Sequence, residues 1–510
     1  MPATLTPPPN QASPVPGANE KAREQACTVA LRWIGALVAL GLAAHFALLL
    51  WSRHEFTVVE AIVALHSSML ANGRGIYFDL NHYPYTVSPY GPIFYTVSGY
   101  LHKWGLPPYV GGRMVSFAAL LAAVWLCWRG LGYFTRNRYA RVTGAIVAAS
   151  TSNLLVWGTV GQVDMLAACF SLAAFTAFLK YRERRDGRAL VLAGALVLLA
   201  ALTKQTSLAA GAAIGLTLLV EDRKRAAWWI LATGAAGAAV FGTLNILTHG
   251  HYYDDAIVAN IAPFHMSLLK LRQHVTYLLL TGSGVLLVAC AGLWRLSRKV
   301  APLYLYAALA LIIWALTAPK IGSDLNYQLE MMLAFSMCAG SALDQLDFFP
   351  SLFTARRTWV TLLQLPLLLH VALNVTLTAR MVAERALLEP FKRRETEALQ
   401  RYVEKKGPIL SVQYDSLVYY RGRMDVEPYI YSLLVQAGRT DPAPLLSDIL
   451  NRRLPAVILS EDIFEAHAPV EDLESLHLPA VHMEALRQKY FMAARIPGPY
   501  GVYVYEPKPD

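Results

Sequence analysis

Apolar residues in this chain arrive in blocks of roughly 17–25 residues, the length a helix needs to cross about 30 Å of hydrocarbon while bonding its own backbone. Such blocks fall at 30–51, 111–133, 142–158, 165–180, 189–203, 206–220, 227–248, 273–294, 302–318, 326–345 and 358–379, which makes about eleven crossings. With 55% hydrophobic and 16% charged residues over 510 positions, the apolar surface exceeds what a soluble core of this length can bury. The expected fold is mainly α, a polytopic helical membrane protein whose solvent is the bilayer.

The formal charge of +10 points to orientation rather than to nucleic acid, because Lys and Arg cluster in short loops between spans. Lys21 and Arg23 precede the first block; Arg129, Arg136, Arg138 and Arg141 follow the second; Lys180, Arg182, Arg184, Arg185 and Arg188 follow the fourth. Arg223–Arg225, then Arg295, Arg298 and Lys299, then Arg356 and Arg357 continue on the same side. The reading is a multi-pass protein of the inner (plasma) membrane, with residues 1–29 a disordered cytoplasmic tail, 30–380 the transmembrane domain and 381–510 outside the cytoplasm. The five cysteines show no CxxC spacing, so neither a disulfide framework nor a thiolate metal site is expected.

The alternation holds only if 86–104 does not cross, so the first outer loop, 53–110, is expected to carry interfacial helices, the first over 56–73. The tail mixes strand-like runs (PILSVQY, PAVILS, YFMAARI, YGVYVYEP) with helical stretches at 386–406 and 443–452. Those runs predict a small extracytoplasmic α/β domain.

The outer side, 52–110, 159–164, 204–205, 249–272 and 319–325, is where chemistry is expected. Glu60 sits on the first-loop helix, where a carboxylate could take the proton of an acceptor hydroxyl; a polar-face residue of an interfacial helix is the competing role. Asp164, at the mouth of the fourth span, is either functional or a helix-start residue that complements the dipole. Lys204 and Gln205 follow the fifth span on the side where positive residues are otherwise scarce; a lysine there suits a phosphate, with snorkelling to head groups the alternative. His249, His251, Asp254 and His265 could bind a divalent cation, although their spacing matches no closed metal motif. Lys320, Asp324, Asn326 and Tyr327 crowd the outer end of the tenth span, with Glu330 about one turn further in.

The order of these elements resembles the multi-spanning GT-C superfamily of glycosyltransferases, especially the branch of the protein O-mannosyltransferases and the lipid A aminoarabinose transferase. The likeness spans roughly 30–380. It rests on Glu60, on GRGIY with Tyr77, on SPYGPIFY with Tyr90, on Arg113, on GQVDML with Asp164, on Thr203 with Lys204, and on Asn326 and Tyr327. The resemblance implies that Glu60 and Asp164 are catalytic and that Lys204 and Arg113 hold the donor phosphate. Tyr77, Tyr90, Gln205, Asn326 and Tyr327 would then bind substrate. Many members carry an Asp-Glu pair in the first loop, whereas Val59 precedes Glu60 here.

The expected function is transfer of a sugar from a polyprenyl-phosphate donor to an envelope acceptor, whether lipid, glycan or protein, on the outer face. The partners are then the donor, that acceptor and the bilayer, with no nucleic acid. No cofactor is required, a divalent cation being the one candidate. A transporter or flippase, or an inactive envelope scaffold, is the alternative.

Overall fold

The computed structural model describes residues 18–261, 266–320, 322–354, 359–465, 478–498 and 501–509. Among these, six helices are long and apolar enough to cross a membrane: Asn19–Trp51, Pro108–Leu131, Val163–Arg184, Arg223–Leu247, Leu268–Arg295 and Leu362–Val403. The other expected blocks are shorter helices standing among them: Arg138–Ser150 with Ser152–Trp157, Gly187–Thr203, Ala209–Glu221, Ala301–Thr317 and Leu329–Gln345. The protein is a multi-pass helical membrane protein with a small C-terminal sheet.

Several boundaries differ from expectation. Residues 18–29 continue the first helix, which runs Ala18–Trp51, because EKAREQA is built of good helix formers and has nothing to stop it; residues 1–17 lie outside the described residues. The third block breaks at Thr151, where Asn374 accepts the freed Ser152 N–H at 2.7 Å. The last span and the first tail helix form one element, Trp359–Val403, of 45 residues with Pro366 and Pro390 inside it. At 1.5 Å per residue it is about twice as long as the hydrocarbon is thick, so no linker stands at 380. The piece expected to be re-entrant is a helix of 12 residues, Pro92–Lys103.

The ends of the bundle segregate as the charge pattern predicts. At one end Arg182 pairs with Glu221 at 2.6 Å, Arg295 reaches the Gln345 carbonyl at 3.1 Å and Lys299 that of Phe134 at 3.1 Å. At the other end the acidic and aromatic loops meet the C-terminal domain. Tyr85 pairs with Val426 as a parallel bridge, and Asp441 N–H bonds the Asn81 side chain at 2.9 Å.

The C-terminal sheet contains β1 (Leu410–Ser411), β2 (Val457–Leu459), β3 (Tyr490–Ile496) and β4 (Val502–Pro507) in the order β1-β2-β4-β3. The β1–β2 pair is parallel and the other two are antiparallel. Strand side chains alternate between faces: Ile458 and Val504 pack with Leu399, Tyr414 and Leu417 onto Ala61, Ala64 and Leu65 of the first-loop helix Val58–Ala71. Val457, Leu459 and Tyr505 pack on the opposite side against Leu445, Ile449 and Leu486. The first-loop helix, expected to lie on the membrane surface, is instead sandwiched between the bundle and the C-terminal domain, since its Ala- and Val-rich sequence lets both approach closely.

The Pro92–Lys103 helix starts against the end of Gly187–Thr203, and only a glycine fits there: a Cβ on Gly91 would collide with the Leu202 carbonyl. Gly91→Ala is expected to cost about 1–3 kcal/mol through backbone displacement, read as a lower Tm of the detergent-solubilised protein. Gly234→Ala, in open space, should leave Tm unchanged; equal Tm values for the two variants would refute the close approach.

Candidate functional site

Thr57 caps the Val58–Ala71 helix, its side chain accepting Glu60 N–H. That places Glu60 in the first turn, pointing into protein. Glu60 is 1% and Arg113 0% exposed. Arg113 Nε bonds Glu60 Oε1 at 2.8 Å and Nη2 bonds Oε2 at 2.9 Å. The remaining lone pairs of Glu60 accept Gly161 N–H at 2.8 Å and Phe56 N–H at 2.6 Å. The remaining donors of Arg113 bind the carbonyls of Leu49, of Ser52 at 2.7 Å and of His54 at 2.6 Å. Burial alone would raise the Glu60 carboxyl, but Arg113 and the two N–H groups overrule it and hold it below the usual range.

Every acceptor site of Glu60 and every donor of Arg113 is therefore in use. In this structure the pair clamps together the first span, the first-loop helix, the second span and the Gly161 turn, and neither side chain lines the cavity described next. Sequence carried a signal for this: Thr57-x-x-Glu60 has the spacing of a capping box. The neighbour Val59, not Glu60, lines a cavity.

That cavity, about 420 Å³, lies among the outer loops and beneath the C-terminal domain. Its wall includes Thr57, Val59 and Ile62 of the first-loop helix, Tyr90 and Tyr95, Trp157, Gln162, and Lys270, Lys320, Asp324, Asn326 and Tyr327. Glu427, Tyr429, Ile430 and Leu433 close it from the C-terminal domain. A smaller space of about 30 Å³ adjoins it, sharing Asn326 and Tyr327 and adding Asp164, Lys204 and Glu330. Asp164 Oδ1 takes an ion-paired hydrogen bond from Lys204 Nζ, and Oδ2 accepts Asn326 Nδ2 at 3.0 Å. Lys204 Nζ stands 3.7 Å over the Tyr327 ring and 5.9 Å from that of Tyr90. Its charge is held by a carboxylate on one side and aromatic faces on the other.

Of the expected residues, Asp164, Lys204, Tyr90, Asn326 and Tyr327 come together here. Tyr77 and Gln205 stand behind the wall instead of on it. Tyr77 donates to the Tyr90 carbonyl at 2.9 Å, and Gln205 to the carbonyls of Pro89 and Ala256 at 2.9 and 3.2 Å; both fix the Tyr90 loop. Buried Asp255, in a π-helical turn Asp254–Val258, accepts Ser88 N–H of that loop at 2.9 Å. His249, His251 and Asp254 do not line the cavity; His251 and Asp254 are 3.8 Å apart, and His265 lies outside the described residues. Among the described residues no group of three or more His, Cys, Asp or Glu side chains could hold a metal ion.

The wall also holds Lys270 and Lys320. Both are basic residues at the end of the bundle where basic residues are scarce, the same signal that singled out Lys204. Burial, with the nearby charge of Lys204, pushes the Lys320 ammonium down to about 8. Nothing in sequence marked Glu427, Tyr429 and Leu433, which reach the cavity only through docking of the tail.

Glu60→Gln is expected to destabilise the protein by about 3–5 kcal/mol, because it leaves the Arg113 guanidinium buried without its counter-charge. Thermal unfolding in detergent checks this. Wild-type stability in the Glu60→Gln protein would show that the clamp carries no stability.

The segment 108–248, which contains Arg113, Asp164 and Lys204, matches the model of the dolichyl-phosphate-mannose-protein mannosyltransferase family. ArnT from Cupriavidus metallidurans in the apo state shares the fold with a TM-score of 0.64 at 12% identity, over 94% of this chain and 100% of that one. The same protein bound to undecaprenyl phosphate gives 0.64 at 13% identity, over 94% and 99%. The apo oligosaccharyltransferase of Archaeoglobus fulgidus gives 0.55 at 14% identity, over 84% and 70%. No curated protein matches the sequence. The chain therefore shares its overall fold with these membrane proteins, and over 108–248 its sequence is similar to the mannosyltransferase family.

Proposed function

We propose that the protein transfers a sugar from a polyprenyl-phosphate donor to an acceptor presented at the outer surface of the plasma membrane, with the C-terminal domain on that side. The observation that carries this reading is the convergence of Lys270 and Lys320 on one loop cavity and of Lys204 on the small space that adjoins it, in a fold shared with GT-C glycosyltransferases. A related fold binds undecaprenyl phosphate in ArnT.

Lys204 and Lys320 hold the donor phosphate, and Tyr90 and Tyr327 keep Lys204 aimed. Asp164 and Asn326 set the Lys204 ammonium in place. As the bond from the anomeric carbon to the phosphate oxygen breaks, its electron pair stays on the phosphate, and the added negative charge is stabilised by the two ammonium groups. The acceptor oxygen forms the new bond and its proton passes to a carboxylate. Glu60 has no free lone pair for this. Asp324 lines the cavity and among the described residues its side chain bonds its own Leu325 N–H, at 2.7 Å, through Oδ1, so Oδ2 is the acceptor assigned here. The Glu427 oxygens are occupied by Tyr414 Oη–H and Ile430 N–H, each at 2.5 Å.

Sugar transfer in proteoliposomes, from a panel of polyprenyl-phosphate sugars to envelope acceptors, tests the reading. Lys204→Gln is expected to lower kcat about 10²–10³-fold and Asp324→Asn about 10²–10⁴-fold, both with wild-type insertion. Wild-type rates in both variants would overturn the assignment, and no transfer from any donor would overturn the function.

Lys320 gives a pH signature. Its ammonium is charged below about 8 and neutral above, so affinity for the lipid phosphate falls as pH rises from about 7 to 9. Lys320→Arg stays charged and flattens that limb. A wild-type affinity constant across this range removes Lys320 from the donor site.

A further inference from the structure

A second cavity, about 590 Å³, shares no lining residue with the one described above. It opens where the first span ends, between Trp51 and Arg53, the start of the second span at Tyr109 and Val110, and Arg393 of the long helix, with Tyr419 of the C-terminal domain over it. Its size falls in the range of small-molecule sites, roughly 300–1,000 Å³.

Its chemistry is two-sided. The turn 52–54 is locked by Glu389, which accepts Ser52 Oγ–H at 2.6 Å and Arg53 N–H at 3.1 Å and bonds His54 Nδ1 at 2.9 Å. Glu389 also lines the cavity, but its oxygens are committed to that turn. The Arg53 side chain is exposed and has no acidic partner among the described residues. Arg393 gives one donor, Nε, to Glu397 at 2.8 Å, and the rest of its guanidinium bonds no other described residue. Two cations thus stand at the mouth, Arg393 shared with Glu397 on its outer side and Arg53 without an acidic partner among the described residues, while the one carboxylate lining the cavity, Glu389, is already bonded.

The other side is apolar. Trp33 at 73%, Leu37 at 53%, Leu40 at 67% and Trp51 at 63% are exposed at helical spacing on the first helix. They form a strip that runs through the bilayer to the cavity mouth, where Trp51 sits as interfacial tryptophans do.

We propose that this cavity binds the phosphate head group of an anionic outer-leaflet lipid, with its chains along the outer half of the strip, Leu40 to Trp51, and its phosphate between Arg53 and Arg393. The occupant is a bilayer lipid instead of free phosphate because the cationic mouth continues into a lipid-facing surface. The proposal does not depend on sugar transfer.

Native mass spectrometry of the full chain in detergent, with phosphatidylglycerol or phosphatidylcholine added, tests it. Wild type is expected to retain phosphatidylglycerol in preference to phosphatidylcholine, and Arg53→Gln and Arg393→Gln each to weaken that retention about tenfold, one charge-assisted contact apiece. Both side chains are solvent-facing, so Tm should be unchanged; should one variant fail to fold, the other decides. Equal retention of the two lipids by wild type, or unchanged phosphatidylglycerol retention in the folded variants, overturns the site. Displacement by millimolar inorganic phosphate as complete as by excess lipid overturns the lipid reading in favour of a free-anion site.

Discussion

A buried Glu60–Arg113 pair is the constraint on which the outer half of this molecule depends. Two charges removed from water are tolerable only when every lone pair and proton finds a partner, and here each does. Meeting that demand draws five segments to one point: the end of the first span, the turn at 52–56, the first-loop helix, the second span and the Gly161 turn. Gly161 has no side chain for a reason, because a Cβ there would lie 3.2 Å from Glu60 Oε1. The next residue, Gln162, bonds Thr57 with its amide and accepts Asn326 with its oxygen at 3.3 Å. Asn326 in turn holds Asp164, and Asp164 holds Lys204. The clamp therefore reaches Lys204 through three side chains, and loosening it moves the cavity wall without touching it.

Sequence made the bundle legible because bilayer physics leaves few options. Apolar length and the sidedness of Lys and Arg located the helices and grouped the loops now found at each end. The strand-like runs of the tail likewise appear as β1 to β4. What sequence did not convey was depth. Glu60, placed by sequence on an interfacial helix, is with Arg113 among the most buried charges in the chain, while Tyr77 and Gln205 stand one layer behind the wall they were expected to form. A one-dimensional pattern tells which end of the bundle a residue occupies, not which neighbour stands between it and the cavity.

The C-terminal domain is the part whose role was least legible. It carries no nucleophile or metal motif, yet its helix start at Glu427 closes the cavity, and its sheet covers the first-loop helix with Ile458 and Val504. The unbroken Trp359–Val403 helix explains how a separate sheet keeps register with membrane loops. Arg385 on that helix bonds the Glu55 carbonyl at 3.1 Å and stacks 4.1 Å over Phe56, and Glu389 fixes the next turn back. A rigid strut, not a flexible linker, sets the height of the roof.

Val59 and Glu60 bring these points together. Consecutive helical residues point about 100° apart, so a single turn can send one side chain into the clamp and its neighbour into the cavity. This chain keeps the inward acid and places an apolar side chain on the wall, where Val59 is 38% exposed. The framework that positions the loops is preserved while the wall is free to change. With Val59 on the wall, the first-loop helix presents no carboxylate to the cavity, which is the physical reason for looking to Asp324, another residue of its lining.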